Sequence, residues 1–296
     1  MFWIYAAMAA QTLISAGTFL VVKAATGLLA PLELAWFRFV VAALAYVTVL
    51  LATGRRLLPP RTAFRRLLLL ALLGTVFNQC MFLSGQARTP PTHGAILYAL
   101  TPACVLLFER MLLGAAITGR KALGTTIAFS GAALVLLQNG IDLAGGTFAG
   151  DGMILAAVFS WSAYTVLARA EIRAHGAVSF TAWALILGAV MSTPFAPLVV
   201  RAPAEWPAIP AGAWLGVLYL GLMTSTLAYL LWNVGLRHLE AAQVAVFSNL
   251  QPVCTGLLSW FVFGERLTWH LAGGFALVVL GVSRVQRRRP LPPPLR

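Results

Sequence analysis

An all-α membrane protein of ten transmembrane helices, built as two inverted five-helix repeats, is the fold this sequence predicts. Three observations carry it. The 296 residues are 60% hydrophobic and only 10% charged, where a soluble domain carries about 25% charged residues. The charges fall in short clusters between apolar runs of about 20 residues, the length that spans a bilayer as a helix. Finally, the sequence around residues 95–124 matches itself at an offset of 150.

The apolar runs place spans at 3–23, 32–52, 65–85, 92–113, 120–138, 151–169, 178–200, 212–234, 241–263 and 269–286. Each must be a helix, because a backbone amide in hydrocarbon needs a partner within its own segment. The first run, MFWIYAAMAA, has no Lys or Arg before it and reads as an uncleaved span, not a signal peptide. The connections are short; the longest are 139–150 and 201–211, so no soluble domain fits between spans. The last ten residues, RRRPLPPPLR, form a basic, Pro-rich tail suited to anionic headgroups. A first repeat over 1–140, a second over 149–286 and the tail 287–296 make up the expected organisation.

A net charge of +13 would point to nucleic acid in a soluble protein. Here the basic residues sit at the ends of apolar runs, where the positive-inside rule accounts for them, so the expected partner is the lipid bilayer and not nucleic acid. With both termini cytoplasmic, 16 Lys and Arg fall on the inner side and 4 on the outer, with Arg38 inside helix 2. That asymmetry predicts an inner-membrane protein with both ends inside, which an even number of spans also requires. The three cysteines, Cys80, Cys104 and Cys254, lie in apolar runs without metal-ligand spacing and read as packing residues. No metal or cofactor is expected.

The internal match pairs AILYALTPACVLL with AVFSNLQPVCTGL, setting Pro102 over Pro252 and Cys104 over Cys254. Gly114 meets Gly264, Gly124 meets Gly274 and Gly131 meets Gly281. Five spans per half is an odd number, so the halves enter the membrane from opposite sides. Inverted repeats of this kind are an architecture of secondary transporters, with the cargo near the midplane between the halves.

Several segments add a family resemblance that covers nearly the whole chain. They are GTFLVVK ending helix 1, PLELAWFRF with Arg38, ALTP with Pro102, SWSAYTVLAR with Trp161, and NLQPVCTGLLSWFVFGERLT with Pro252, Gly264 and Glu265. Together they resemble the EamA branch of the drug/metabolite transporter superfamily. The first repeat departs from the pattern: Gly114-Ala115 stands where a Gly-Glu pair is often seen. The resemblance implies an exporter of amino acids, aromatic ones included, or of related metabolites. Small cation-extruding relatives use a Glu in their first helix; this chain has Gln11 and no acid there.

Polar groups in mid-membrane face a cavity or a neighbouring helix. Gln11, Ser15 and Thr18 share one face of helix 1. Asn78 and Gln79 lie in helix 3, Tyr98 in helix 4, Trp161 and Tyr164 in helix 6, Tyr229 in helix 8 and Asn249 in helix 9. These ten are the expected substrate-binding residues, and helices 1, 3, 4, 6, 8 and 9 the expected lining. Amides and hydroxyls suit a zwitterion, and aromatic faces suit a side chain or an ammonium group. The competing reading is that such groups only join helices. Pro102 and Pro252 each remove a backbone hydrogen bond and are the expected hinges; the carbonyl freed near Tyr98 or Ser248 is left to cargo or to a neighbouring hydroxyl.

Arg38 lies about six residues inside helix 2, close enough to its end to snorkel, and reads as a structural pair with Glu33 five residues earlier, a clamp on backbone carbonyls, or a contact to a substrate carboxylate. Glu265 is expected to brace the turn before helix 10, and His93 to sit at the outer end of helix 4. No acid lies near the centre of a span, which disfavours proton exchange for cationic drugs and makes a facilitator the simplest reading. Another metabolite or a drug cation remains an alternative cargo. A membrane-embedded enzyme is disfavoured because the four His are scattered and no HExxH occurs. The oligomeric state is left open.

Overall fold

The computed structural model describes residues 2–89, 94, 97–137, 148–263 and 269–286. Among the described residues the chain is helical throughout, in ten rods. They are α1 (Phe2–Thr26), α2 (Pro31–Ala52), α3 (Arg61–Arg88), α4 (Thr101–Leu113) and α5 (Gly119–Leu137). After residue 148 come α6 (Phe148–His175), α7 (Ala177–Val199), α8 (Ala211–His238), α9 (241–263) and α10 (Trp269–Gln286). Rods α1, α2, α3, α6, α7 and α8 are long and apolar enough to cross a membrane by themselves. Several run a turn or more past the apolar stretch that reveals them, because a hydrogen-bonded helix does not stop where hydrocarbon gives way to headgroups. Gly264, Glu265, His93 and the tail lie outside the described residues.

Large apolar side chains such as Leu44, Leu51, Leu69, Leu198 and Leu215 are exposed on the outside of the bundle. On a protein in water such a belt would be a liability; in a bilayer it is the lipid contact. Inside, two aromatic-rich cores form. One gathers Tyr46, Trp161, Tyr164, Phe180 and Trp232, the other Phe19, Phe37, Phe39 and Phe82.

The packing is exchanged between the two stretches of sequence. Rod α1 lies on α8 and α9, while α6 lies on α3 and α4; α2 packs on α7, and α5 on α10. Positions 150 residues apart therefore occupy equivalent places. The α5–α10 seam is the tightest: a Cβ on Gly131 would lie 2.6 Å from the Gly274 carbonyl, and one on Gly281 2.5 Å from the Gly124 carbonyl. The pairing 131 with 274 and 124 with 281 means that the two rods run antiparallel. The glycines allow backbone to touch backbone, which is how helices associate in a solvent as apolar as themselves.

Two rods carry a feature the sequence did not announce. The middle of α3 (Leu72–Phe77) and of α8 (Tyr219–Ala228) is π-helical. A π turn shifts the bonding from i→i−4 to i→i−5 and leaves carbonyls loosened, which hydrocarbon does not forgive. Side chains meet them. Ser160 Oγ donates to the Leu73 carbonyl at 2.6 Å, Tyr229 Oη to that of Gly74 at 2.8 Å, and Tyr46 Oη to that of Thr226 at 2.8 Å.

Rods α4 and α9 are interrupted just before their prolines. Ala99 and Leu100 form a turn ahead of Pro102, and Val246–Asn249 is a 3-10 segment ahead of Pro252. The carbonyl freed at Tyr98 is taken by Thr101 Oγ1 at 2.6 Å, so a neighbouring hydroxyl fills that place.

Candidate functional site

Side chains from six rods converge on a cavity of about 70 Å³. Rod α1 contributes Gln11, Ser15, Thr18 and Phe19, and α3 contributes Asn78, Gln79 and Phe82. Tyr98 leads into α4, and Trp161 comes from α6. Rod α8 supplies Thr224, Ala228, Tyr229 and Trp232, and α9 supplies Ser248 and Gln251. These are the rods that mid-span polar groups single out in the sequence; α2, α5, α7 and α10 stand outside them.

The wall is a connected network. Gln79 Nε2 donates to Asn78 Oδ1 at 2.5 Å and to Tyr229 Oη at 2.8 Å. Asn78 Nδ2 donates to the Ala157 carbonyl at 2.8 Å and reaches Tyr98 Oη at 3.3 Å. Gln11 Nε2 donates to Ser15 Oγ at 2.8 Å, and the hydroxyls of Thr18 and Thr224 are 2.9 Å apart. Gln11 Oε1 is buried without a protein donor, an acceptor left open at the cavity wall. Trp161 forms the aromatic side, stacked on Tyr164 with centroids 5.0 Å apart and edge-on to Tyr229 at 5.0 Å. Among the described residues no carboxylate, Lys, Arg or His lines the cavity.

The structure brings together eight of the ten expected residues: Gln11, Ser15, Thr18, Asn78, Gln79, Tyr98, Trp161 and Tyr229. It does not bring in Tyr164, whose hydroxyl donates to Asn233 Oδ1 at 3.1 Å behind Trp161, in a network continued to Thr181. Asn249 is likewise outside the wall; it is fully buried, and neither amide atom has a protein partner. Phe19, Phe82 and Trp232 were missed, because an aromatic residue in an apolar helix carries no polar signal. Two of them, Phe82 and Trp232, are each other's counterpart in the repeat. Lining residues pair at an offset of 150: Gln11 with Trp161, Asn78 with Ala228, Gln79 with Tyr229, Phe82 with Trp232 and Tyr98 with Ser248. The cavity is thus two-fold in position and asymmetric in chemistry.

Arg38 corrects the sequence reading. It is fully buried and does not snorkel. Nor does it pair with Glu33: five residues along a helix is about 140° of rotation, which points the two side chains to different faces. Glu33 instead takes Arg201 through both carboxylate oxygens, at 2.8 and 2.9 Å. Arg38 stands behind the cavity wall, donating from Nη1 to Gln79 Oε1 at 2.6 Å and from Nε and Nη2 to Ser225 Oγ at 3.0 and 2.8 Å.

A larger hollow of about 430 Å³ lies between the ends of α3, α4 and α6, among Arg66, Leu69, Leu113, Arg169 and Arg173. Its wall is mostly aliphatic and comes from one side of the bundle. Polar groups from six rods converge instead on the central cavity.

Known proteins place this architecture. The EamA-like transporter family matches the chain twice, over residues 1–137 and 148–285. The uncharacterized transporter YyaM of Bacillus subtilis is 29% identical over 282 residues, covering 94% of this chain and 92% of its own. An uncharacterized transporter of Archaeoglobus fulgidus is 26% identical over 93% of this chain and 94% of its own. A WAT1-related protein of Arabidopsis thaliana is 28% identical over 87% of this chain and 76% of its own. A crystal structure with 20% identity superposes with a TM-score of 0.75 over 96% of this chain and 95% of that one, which shows a shared fold. The chain belongs to the EamA-like transporter family, and it is a multi-pass membrane protein that carries a small molecule.

Proposed function

We propose that the protein exports amino acids or closely related small metabolites across the cytoplasmic membrane by alternating access, with both termini on the cytoplasmic side. The observation that carries this reading is the composition of the central wall among the described residues: amides, hydroxyls and aromatic rings, with no carboxylate or cationic side chain, and an unmet acceptor at Gln11 Oε1. An ammonium group finds an acceptor there and the faces of Trp161 and Tyr98, while a carboxylate gains donors by displacing the Asn78–Tyr98 or Gln79–Asn78 hydrogen bond within the wall. A drug cation would want a buried acid, and the wall has none.

The cavity is much smaller than the roughly 300 Å³ at which ligand clefts begin. Cargo therefore needs the rods to part. The interruptions before Pro102 and Pro252 are the places where α4 and α9 bend, in this reading, as access passes from one face to the other. The split of 16 basic residues against 4 supports the orientation.

Uptake of a panel of labelled amino acids into liposomes carrying the purified protein, with and without an imposed pH gradient, tests the reading. Uptake of neutral and aromatic amino acids, insensitive to the gradient and lost in Trp161→Ala or Tyr98→Ala, is the expected result. Folded protein that takes up none of them contradicts the amino-acid cargo.

A further inference from the structure

Arg38 is a cation sealed in the bundle, and among the described residues it has no anion beside it. A guanidinium stays charged inside proteins, and burying such a charge is costly unless it is paired. Its hydrogen-bond partners among the described residues are neutral, Ser225 and Gln79. Among the described residues no carboxylate pairs with it; the acid on its own rod, Glu33, is held by Arg201.

Packing does not require this charge. The place equivalent to Arg38, 150 residues on, is Gly188, and the place equivalent to Ser225 is Thr75. Gly188 lies directly against Thr75, where a Cβ would meet its Cγ2 at 2.5 Å. The same crossing of helices is thus made once with a cation and once with no side chain at all.

The charge also has a path to the cavity. Arg38 fixes Gln79 Oε1, which turns Gln79 Nε2 toward Asn78 and Tyr229. All three lie in the wall. A cation behind an amide polarises that amide and strengthens its N–H groups as donors. A wall that is neutral residue by residue thereby sits at positive potential, and in a site of low dielectric that field acts strongly.

We infer that Arg38 is a positioning residue that selects cargo bearing a carboxylate or similar anionic group, and that this group is the counter-charge the protein itself lacks. The inference rests on the central cavity being the cargo site and deepens that reading by naming the cargo group that is recognised. Loaded, the site holds a balanced pair of charges; empty, it holds a lone cation. A wholly cationic amine meets the same sign of charge and is rejected.

The test compares three forms of one cargo in the liposome uptake assay: an amino acid, its carboxamide and its decarboxylated amine. The wild-type protein, Arg38→Lys and Arg38→Gln are measured with each. In the wild type the acid is expected to be favoured over the amide and the amine by at least about tenfold in kcat/KM. Arg38→Lys keeps a preference for the acid. Arg38→Gln brings acid and amide to within about threefold of each other, chiefly by raising KM for the acid. Wild-type protein that carries the amide or amine as well as the acid overturns the inference without needing a variant to fold. Arg38→Gln that lowers transport of all three forms by the same factor also overturns it, since a purely structural residue behaves so. Other carboxylates carried while every amino acid is ignored would refute the amino-acid reading and support the role of Arg38.

Discussion

Two tyrosines in one aromatic cluster separate cavity wall from packing. Tyr164 and Tyr229 both contact the Trp161 ring, and replacing either by Phe removes one hydroxyl. Tyr164→Phe deprives Asn233 Oδ1 of its donor in a fully buried place, while the Asn233–Thr181 bond of 2.9 Å and the stack on Trp161 remain. A buried acceptor left alone costs about 1–3 kcal/mol. Tyr229→Phe deprives the Gly74 carbonyl of its donor and Gln79 Nε2 of one of two acceptors, a loss of similar size. Thermal unfolding in detergent should therefore fall in both variants by comparable amounts. Transport should not. Tyr229 lines the cavity and its Oη holds Gln79 in the wall, so its loss should shift KM by about 2–10-fold, corresponding to about 0.5–1.5 kcal/mol. Tyr164 Oη points away, so KM stays at the wild-type value. Equal shifts of KM in the two folded variants would refute this division of the cluster.

Three further outcomes follow from the packing. Gly281→Ala places a methyl group 2.5 Å from the Gly124 carbonyl and should lower stability by about 1–3 kcal/mol as α5 and α10 are forced apart; unchanged unfolding would contradict the seam. Glu33→Gln removes one prong of the two-pronged tie to Arg201 and should lower the unfolding temperature in detergent, as should Arg201→Gln; unchanged unfolding in both would contradict the tie. Outside the membrane-spanning rods, the hydrogen bond and charge of Lys121, 2.6 Å away, hold the Glu240 carboxyl below its usual range. A lowered carboxylate stabilises fully above its unfolded value and loses that contribution as pH falls through the folded one. Glu240 is half exposed, so Glu240→Gln should cost less than about 1 kcal/mol at neutral pH, and the gap to the wild type should close in acid. A gap that does not change with pH would contradict the tie.

Much of this was legible in the sequence for physical reasons. Lipid tolerates neither unpaired backbone nor charge, so apolar runs and the clusters between them mark the rods. Polar residues in mid-span are costly enough to identify the rods around the cavity. What escaped had no such signal. Phe19, Phe82 and Trp232 are apolar among apolar residues. The π turns of α3 and α8 depend on Ser160, Tyr229 and Tyr46 arriving from other rods, a tertiary fact. Arg38 was the misleading case. Sequence distance to the end of α2 allows snorkelling and sequence distance to Glu33 allows pairing, yet rotation about the helix points Arg38 inward to Ser225 and Gln79. Tyr164 was selected for its neighbours in α6, while its hydroxyl turns to Asn233.

The central claim is that cargo passes through this cavity. Its most direct test replaces Cys80, Cys104 and Cys254, the three native cysteines, and then introduces Ser15→Cys or Ser248→Cys in the wall. Labelling by a small, membrane-permeant thiol reagent is measured with and without a transported amino acid. The account predicts that cargo slows labelling at both positions, with half-protection near the KM for uptake. Labelling that is unaffected by saturating cargo, in protein that still transports it, would place the path elsewhere and contradict the account.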